Sequence, residues 1–194
     1  MTHQFDVEGT KRKNIIGMAL GFAAMLRVFS KRSKVQIEVR LEEFFSRLPE
    51  IGTSNDYEDL HRSFCEWFTR EIRTAEKRPK NGNVRPSQPS SYGQAAKVLD
   101  IATKVYVYYC AQPNAEIAQR IMPFLKGAID TPIMRYLKQS KFATTTICAT
   151  TIQGVDERAY HALQSVVLAE SLAHKMYPVQ LDDILWRKFN RESG

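Results

Sequence analysis

Seven basic side chains lie between residues 11 and 34 without one acidic residue among them. They form two clusters on either side of the uncharged run 14–26. The first cluster is Lys11, Arg12 and Lys13, and the second is Arg27, Lys31, Arg32 and Lys34. Lysine and arginine side chains neutralise phosphates, whereas ordinary solvated helix faces mix both signs of charge. We therefore predict that these residues contact a polyanion, and nucleic acid is the partner we expect.

A second group of cations follows the third predicted helix. It consists of Arg70, Arg73, Lys77, Arg78, Lys80 and Arg85. The chain of 194 residues carries a formal net charge of +7. A basic excess of this size raises the odds of a nucleic acid, an anionic membrane or an acidic protein as partner. We expect contacts to phosphates without strong reading of base sequence, and the type of nucleic acid stays open.

Few other residues form a pattern that could support chemistry. Cys65, Cys110 and Cys148 are odd in number and far apart, which argues against a disulfide framework and a zinc knuckle. His61 and Cys65 share a helical face, but no second ligand pair accompanies them. The chain has neither a phosphate-binding P-loop nor a dinucleotide fingerprint. We expect no metal and no cofactor, with free thiols in a reducing cytoplasm.

One stretch resembles a known enzyme family. Gly93-Gln94-Ala95-Ala96-Lys97 at a predicted helix start, followed by the run AIDTPIMRYL over 128–137, resembles the helix-hairpin-helix DNA glycosylase and lyase family. The resemblance covers residues 92–137. It implies that Lys97 is the amine that attacks the sugar carbon and that Asp130 activates this amine or stabilises positive charge. The alternative is that Lys97 is a surface lysine and Asp130 a plain helix cap.

Helical spacing of apolar residues dominates the chain and predicts an all-α fold, a single compact bundle of seven or eight helices. The first predicted helix covers 11–32, with an apolar stripe from Ile15 to Phe29. Its two basic ends would lie roughly 30 Å apart at 1.5 Å per residue. The third is expected to end near Arg78, after a cap at Asn55 or Asp56. The β-branched run from 142 to 152 is the only strand candidate, with a buried connection as its alternative.

Three prolines and several small polar residues between 79 and 91 mark the clearest break in the chain. We predict an N-terminal basic helical region over 1–78, a basic, proline-rich linker or mobile loop over 79–91, and a C-terminal helical region over 92–194. The two regions are expected to share one core. The run 14–26 is too short to span a bilayer, so we predict no transmembrane segment and no export signal.

Three alternatives to nucleic-acid binding stay open. Lys97 and Asp130 would make the chain a base-excision enzyme, and enzyme activity is otherwise unsupported. The helix over 15–29, with Gly17 and Gly21 on one face and Phe22 and Met25 on another, would instead pack against a second copy or a partner protein. Cations at both ends of an apolar helix also suit a membrane surface.

Overall fold

The computed structural model describes residues 6–22, 24–76 and 83–190. Within these ranges the chain forms eight α-helices and no β-strand beyond isolated bridges, so the predicted all-α bundle is confirmed. The helices are α1 Val7–Phe22, α2 Ser33–Arg47, α3 Ser54–Glu71, α4 Tyr92–Thr103, α5 Ala115–Ile121, α6 Thr131–Lys138, α7 Glu157–Ala173 and α8 Pro178–Asn190. None of the helices in the described ranges combines the length and hydropathy that a bilayer crossing requires.

Polar side chains determine where the helices begin. Ser91 caps α4 and exchanges hydrogen bonds with Gln94, while Asp130 caps α6 just before Pro132. The predicted N-cap of α3 is wrong, because Thr53 caps the helix instead of Asn55 or Asp56. Asp56 instead completes the reciprocal pair, its carboxylate accepting from the Thr53 amide at 2.8 Å.

The single first helix predicted over 11–32 is wrong. α1 ends at Phe22, a 3-10 segment covers Ala24–Val28, and α2 begins only at Ser33. The helix is interrupted because residues 28–30 bond to the chain that follows α3. The Ala75 amide donates to the Val28 carbonyl at 2.7 Å, and the Ser30 amide donates to the Arg73 carbonyl at 3.0 Å. The two basic clusters therefore do not lie at opposite ends of one rod.

The same break changes the predicted interaction surface over 15–29, since no single helix spans it. Ile15 and Phe29 are buried in the core. Gly17 and Gly21 are exposed, and a side chain added at either would meet nothing within 4 Å. The side chains of Phe22 and Met25 lie outside the described residues.

One hydrophobic cluster takes side chains from helices on both sides of the segment 79–91. α4 runs through it with α1, α3 and α7 packed around it. Phe45 of α2 stacks on Tyr106, with ring centroids 4.0 Å apart and planes inclined by 3°. Tyr106 belongs to a π-helical segment, Lys104–Tyr109, that continues directly from α4. Residues 79–82 lie outside the described ranges, and residues 83–89 are exposed.

Residues 142–152 do not form the strand that their composition predicts. They are irregular up to the short 3-10 turn Ile152–Gly154. The alternative of a buried connection does not hold for most of the run, because Ile147 is its one buried residue. β-branched composition favours a strand only where a neighbouring strand supplies hydrogen bonds, and the described residues offer none here.

Gly93 lets α4 pack closely against the chain that precedes α7. A Cβ at this position would lie 2.6 Å from the Val155 Cβ and 2.8 Å from the Ile152 carbonyl oxygen. We expect Gly93→Ala to lower the free energy of unfolding by about 1–3 kcal/mol through overpacking. Urea denaturation measures this. The matched control is Gly17→Ala on the exposed face of α1, which we expect to raise stability by about 0.5–1 kcal/mol.

Candidate functional site

Three chain segments that are distant in sequence pair side by side at one edge of the molecule. Residues 72–75 lie in the middle, with residues 28–30 on one side and residues 88–90 on the other. On the second side the Thr74 amide donates to the Gln88 carbonyl at 2.8 Å, and the Ser90 amide donates to the Ile72 carbonyl at 3.0 Å. We call residues 28–30, 72–75 and 88–90 the three-segment edge.

Buried side chains attach this edge to the core. Phe29 is only 4% exposed and meets the ring of Phe68 edge-on, with centroids 5.2 Å apart. Ile72, the first residue after α3, is fully buried. Burying two large apolar side chains favours the attached state by about 1.5–3 kcal/mol each. The backbone around the edge is therefore held in place.

The three-segment edge brings the two predicted basic groups together. Arg27, Lys31 and Arg32 flank the first segment, Arg70 and Arg73 come from the end of α3 and the middle segment, and Arg85 precedes the third. All six are exposed. We call Arg27, Lys31, Arg32, Arg70, Arg73 and Arg85 the cationic edge. Lys77, Arg78 and Lys80, which the sequence adds to this group, lie outside the described residues.

Most of these charges are free to meet an anion. Arg70 pairs with Glu71 at 2.9 Å, and Arg73 donates to the Ser87 carbonyl at 3.3 Å. The other four, Arg27, Lys31, Arg32 and Arg85, have no carboxylate within 4.0 Å in the part of the chain that the structure describes. Lys34, just beyond the edge, lies 3.7 Å from Glu38. Local positive charge is therefore only partly neutralised here.

The first basic cluster lies elsewhere, on α1. Lys11 and Lys13 are exposed, and Lys13 precedes the end of α1 by about 13 Å of helix. Arg12 is half-buried and faces the protein. Burial raises the pKa of Tyr106, and the nearby Arg12 guanidinium opposes that rise. Arg12 therefore contributes less to an outward positive surface than its two neighbours do.

A buried polar cluster joins α3, α4 and α7. The Nε2 atom of His61 lies 3.0 Å from Oδ1 of Asp100, and the Tyr160 hydroxyl donates to Oδ2 of Asp100 at 3.0 Å. Cys65 is next to the other nitrogen of the imidazole, with its Sγ 3.7 Å from His61 Nδ1. The side chains of His61 and Asp100 are fully buried. Helical spacing in the sequence relates His61 to Cys65 but does not reveal Asp100 or Tyr160, because these two come close only through tertiary packing.

The burial of this cluster determines its protonation. Burial by itself lowers the pKa of His61, but Cys65 and the hydrogen bond to Asp100 outweigh it, and the pKa is raised to about 10. The Cys65 contribution requires a thiolate, but burial raises the pKa of that thiol, so at neutral pH Asp100 is the group that raises the pKa of His61. Burial raises the pKa of Asp100 as well, and the hydrogen bonds with His61 and Tyr160 oppose that rise. With both pKa values raised, the His61–Asp100 pair keeps a proton at neutral pH. With no solvent access to either group, the cluster holds the helices together and has no contact with a substrate.

The structure places Lys97 and Asp130 within electrostatic range of each other. Lys97 is half-buried on α4, and burial lowers the pKa of its amine while Asp130 and Asp182 oppose the change. Asp130 accepts a hydrogen bond from the Ile133 amide at 3.0 Å, as a helix cap. Gly93, the glycine of the resemblance, lies inside the first turn of α4. The role of Lys97 as a nucleophile stays a prediction.

Nothing further identifies the site. In the ranges that the structure describes, no group of three or more histidine, cysteine or acidic side chains is arranged to hold a metal ion. No family model, curated protein or solved structure matches this chain.

The buried His61–Asp100 pair makes stability depend on pH with a defined sign. The raised pKa of His61 means that its contribution is complete below its ordinary value of 6.5 and is lost as pH rises through about 10. We expect the free energy of unfolding to fall over this interval. In Asp100→Asn, which keeps the shape but removes the charge, this part of the pH dependence should disappear. Urea titrations of both proteins across the interval measure the effect, and parallel curves would contradict it.

Proposed function

We propose that this protein binds nucleic acid through the phosphate backbone, with the cationic edge as the contact surface. The observation that supports the proposal best is the backbone pairing of three segments that carry or adjoin all six cations of the cationic edge. Residues 28–30 and 72–75, which are more than forty positions apart in sequence, are thereby adjacent, and the cations on and beside them are exposed. Each phosphate that they neutralise releases counterions, which gives affinity and a strong dependence on salt.

The fixed backbone beneath these side chains favours a role in binding over a role in solubility alone. Charges that serve only solubility need no fixed arrangement, whereas here the backbone beneath them is hydrogen-bonded and attached to the core by Phe29 and Ile72. A prearranged surface loses less conformational entropy when a ligand binds. Five of the six side chains are arginines, whose planar guanidinium can contact two phosphate oxygens at once.

The proposed contacts position a nucleic acid and do not read its sequence. The cations lie on a turn, a helix end and extended segments, places from which side chains reach phosphates. Lys11 and Lys13 on α1 extend the proposed surface in a second direction. We also keep the cytoplasm as the proposed location, since Cys65, Cys110 and Cys148 are free thiols.

A second candidate function is the lyase chemistry of the predicted family resemblance. It is supported by the lowered pKa of Lys97 and by the nearby Asp130, because an amine with a lowered pKa is more often unprotonated and able to attack a sugar carbon. The half-buried position of Lys97 requires that an extruded sugar reach it.

We expect the triple variant Arg27→Gln, Lys31→Gln, Arg32→Gln to weaken binding of labelled oligonucleotides by roughly tenfold or more at low salt. The slope of log affinity against log salt should fall by about 2, because three fewer phosphates are neutralised. Fluorescence anisotropy at several salt concentrations measures both quantities.

The matched control is Arg135→Gln, Arg158→Gln, Lys175→Gln. It removes the same number of arginines and lysines from exposed positions outside the cationic edge. An equal loss in both variants would show that net charge alone is responsible. Unchanged affinity and slope in the first variant would overturn the assignment of the surface.

Borohydride trapping on an abasic-site duplex tests the second candidate. We expect a covalent adduct with the unaltered chain and none with Lys97→Met, which keeps the length of the side chain but lacks the amine. Absence of an adduct with the unaltered chain would rule out a Schiff base at Lys97.

A further inference from the structure

An open cleft between α2 and α3 lies next to the cationic edge. Its volume is about 370 Å³, near the lower end of the ~300–1,000 Å³ of small-molecule sites. Its lining residues are Val35, Gln36, Val39 and Arg40, with Glu43 and Trp67. The two helices run antiparallel, as Phe29 near the start of α2 contacts Phe68 near the end of α3, and Phe44 contacts Tyr57 at the other end. Arg32, three residues before Val35, and Arg70, three residues after Trp67, therefore flank the same end of the cleft.

Trp67 forms one wall of this cleft, and neighbouring side chains hold its indole in place. The indole packs on Phe64 and Phe68, with ring centroids 5.7 and 6.1 Å away. The guanidinium carbon of Arg40 lies 5.6 Å from the centroid of the indole, and Glu43 holds that guanidinium at 2.6 Å. The half-buried indole is thus oriented by its neighbours and still reaches the cleft.

The other walls suit a flat, mostly apolar group. Val35 and Val39 are 63% and 53% exposed, a large unburied area for two aliphatic side chains on one helix face. Gln36 adds an amide that both donates and accepts hydrogen bonds. An indole, a guanidinium and an amide together match a nucleobase, which has a π-face and polar edges. Aromatic and arginine side chains bind unpaired bases in this way.

We propose that this cleft holds an unpaired base of a single-stranded nucleic acid whose phosphates lie on the cationic edge. This inference rests on the proposed function and narrows it to single strands, because bases in a duplex are stacked on each other and unavailable to the indole. Trp67 lies one helical turn before Arg70, about 4.5 Å along α3. The base site and the first phosphate contact are therefore adjacent.

The test compares two single strands of the same length and charge, an oligothymidylate and an abasic strand that has no bases. Their phosphates are identical, so the ratio of the two affinities isolates the contribution of the bases. We expect the unaltered chain to bind the oligothymidylate at least fivefold more tightly, as base stacking on an aromatic side chain contributes about 1–3 kcal/mol. An oligouridylate measured in parallel distinguishes RNA from DNA.

Two variants locate the effect. Trp67→Leu and Val39→Glu should each reduce the ratio of affinities to about one, and Trp67→Leu should leave the salt slope unchanged. Val39 is exposed, so the second variant remains informative if Trp67→Leu proves poorly folded. The matched control is Trp186→Leu on α8, a helix that packs on α6 and α7. It should retain the preference for the oligothymidylate.

The outcomes separate the two proposals. If neither strand binds at low salt, the proposed function fails. If both strands bind equally well to the unaltered chain, the base site is wrong while phosphate binding stands. If the preference survives in both cleft variants, the base is held elsewhere and the assignment to this cleft is overturned. An apolar peptide as the true occupant would appear as equal binding of both strands.

Discussion

The fully buried carboxylate of Asp100 is the constraint that organises this fold. A charge without solvent must be paired, and removing one partner of such a pair typically costs about 3–5 kcal/mol. Asp100 is on α4, and its partners His61 and Tyr160 are on α3 and α7. The pairing therefore fixes where both helices lie against α4. Since α3 also carries Trp67 and Arg70, the same constraint sets the position of the candidate surface.

A second buried pair lies one helical turn beyond Asp100, where α4 continues into the π-helical segment. The amine of Lys104, at the start of the π-helical segment, lies 2.6 Å from Asp182 and 3.4 Å from Asp183 on α8. Burial raises the pKa of Asp182 to about 6, and Lys104 opposes that rise. The two pairs thus attach the central helix to α3 and α8, and the hydrogen bond from Tyr160 attaches it to α7. They explain how helices on both sides of the segment 79–91 build one core instead of two.

Sequence periodicity predicts the helices of this protein well and their interruptions poorly. The starts of α4 and α6 follow from local caps, Ser91 and Asp130, whose partners are three residues away. The end of α1 does not follow, because the apolar spacing continues past Phe22 to Phe29. The competing interaction is the pairing of residues 28–30 with residues 72–75, which no local pattern reveals. The early end of α3 at Glu71 has the same cause, since Ile72 leaves the helix to join that pairing.

The charges of the candidate surface can be found in the sequence, but their convergence cannot. Arg27 and Arg73 belong to separate basic groups in the sequence, and only the pairing of residues 28–30 with residues 72–75 makes their segments neighbours. Arg12 is basic in the sequence but lies close to Tyr106 and contributes less to the outward surface. Trp67 lies at helical spacing from the buried Phe64 and Phe68 on α3, yet it is only half-buried because α2 leaves a cleft beside it. The middle segment 72–75 links these features. It continues from the helix that carries Trp67, and its carbonyls and amides form hydrogen bonds with both neighbouring segments. The backbone that carries the nearby cations is therefore fixed in position relative to the cleft.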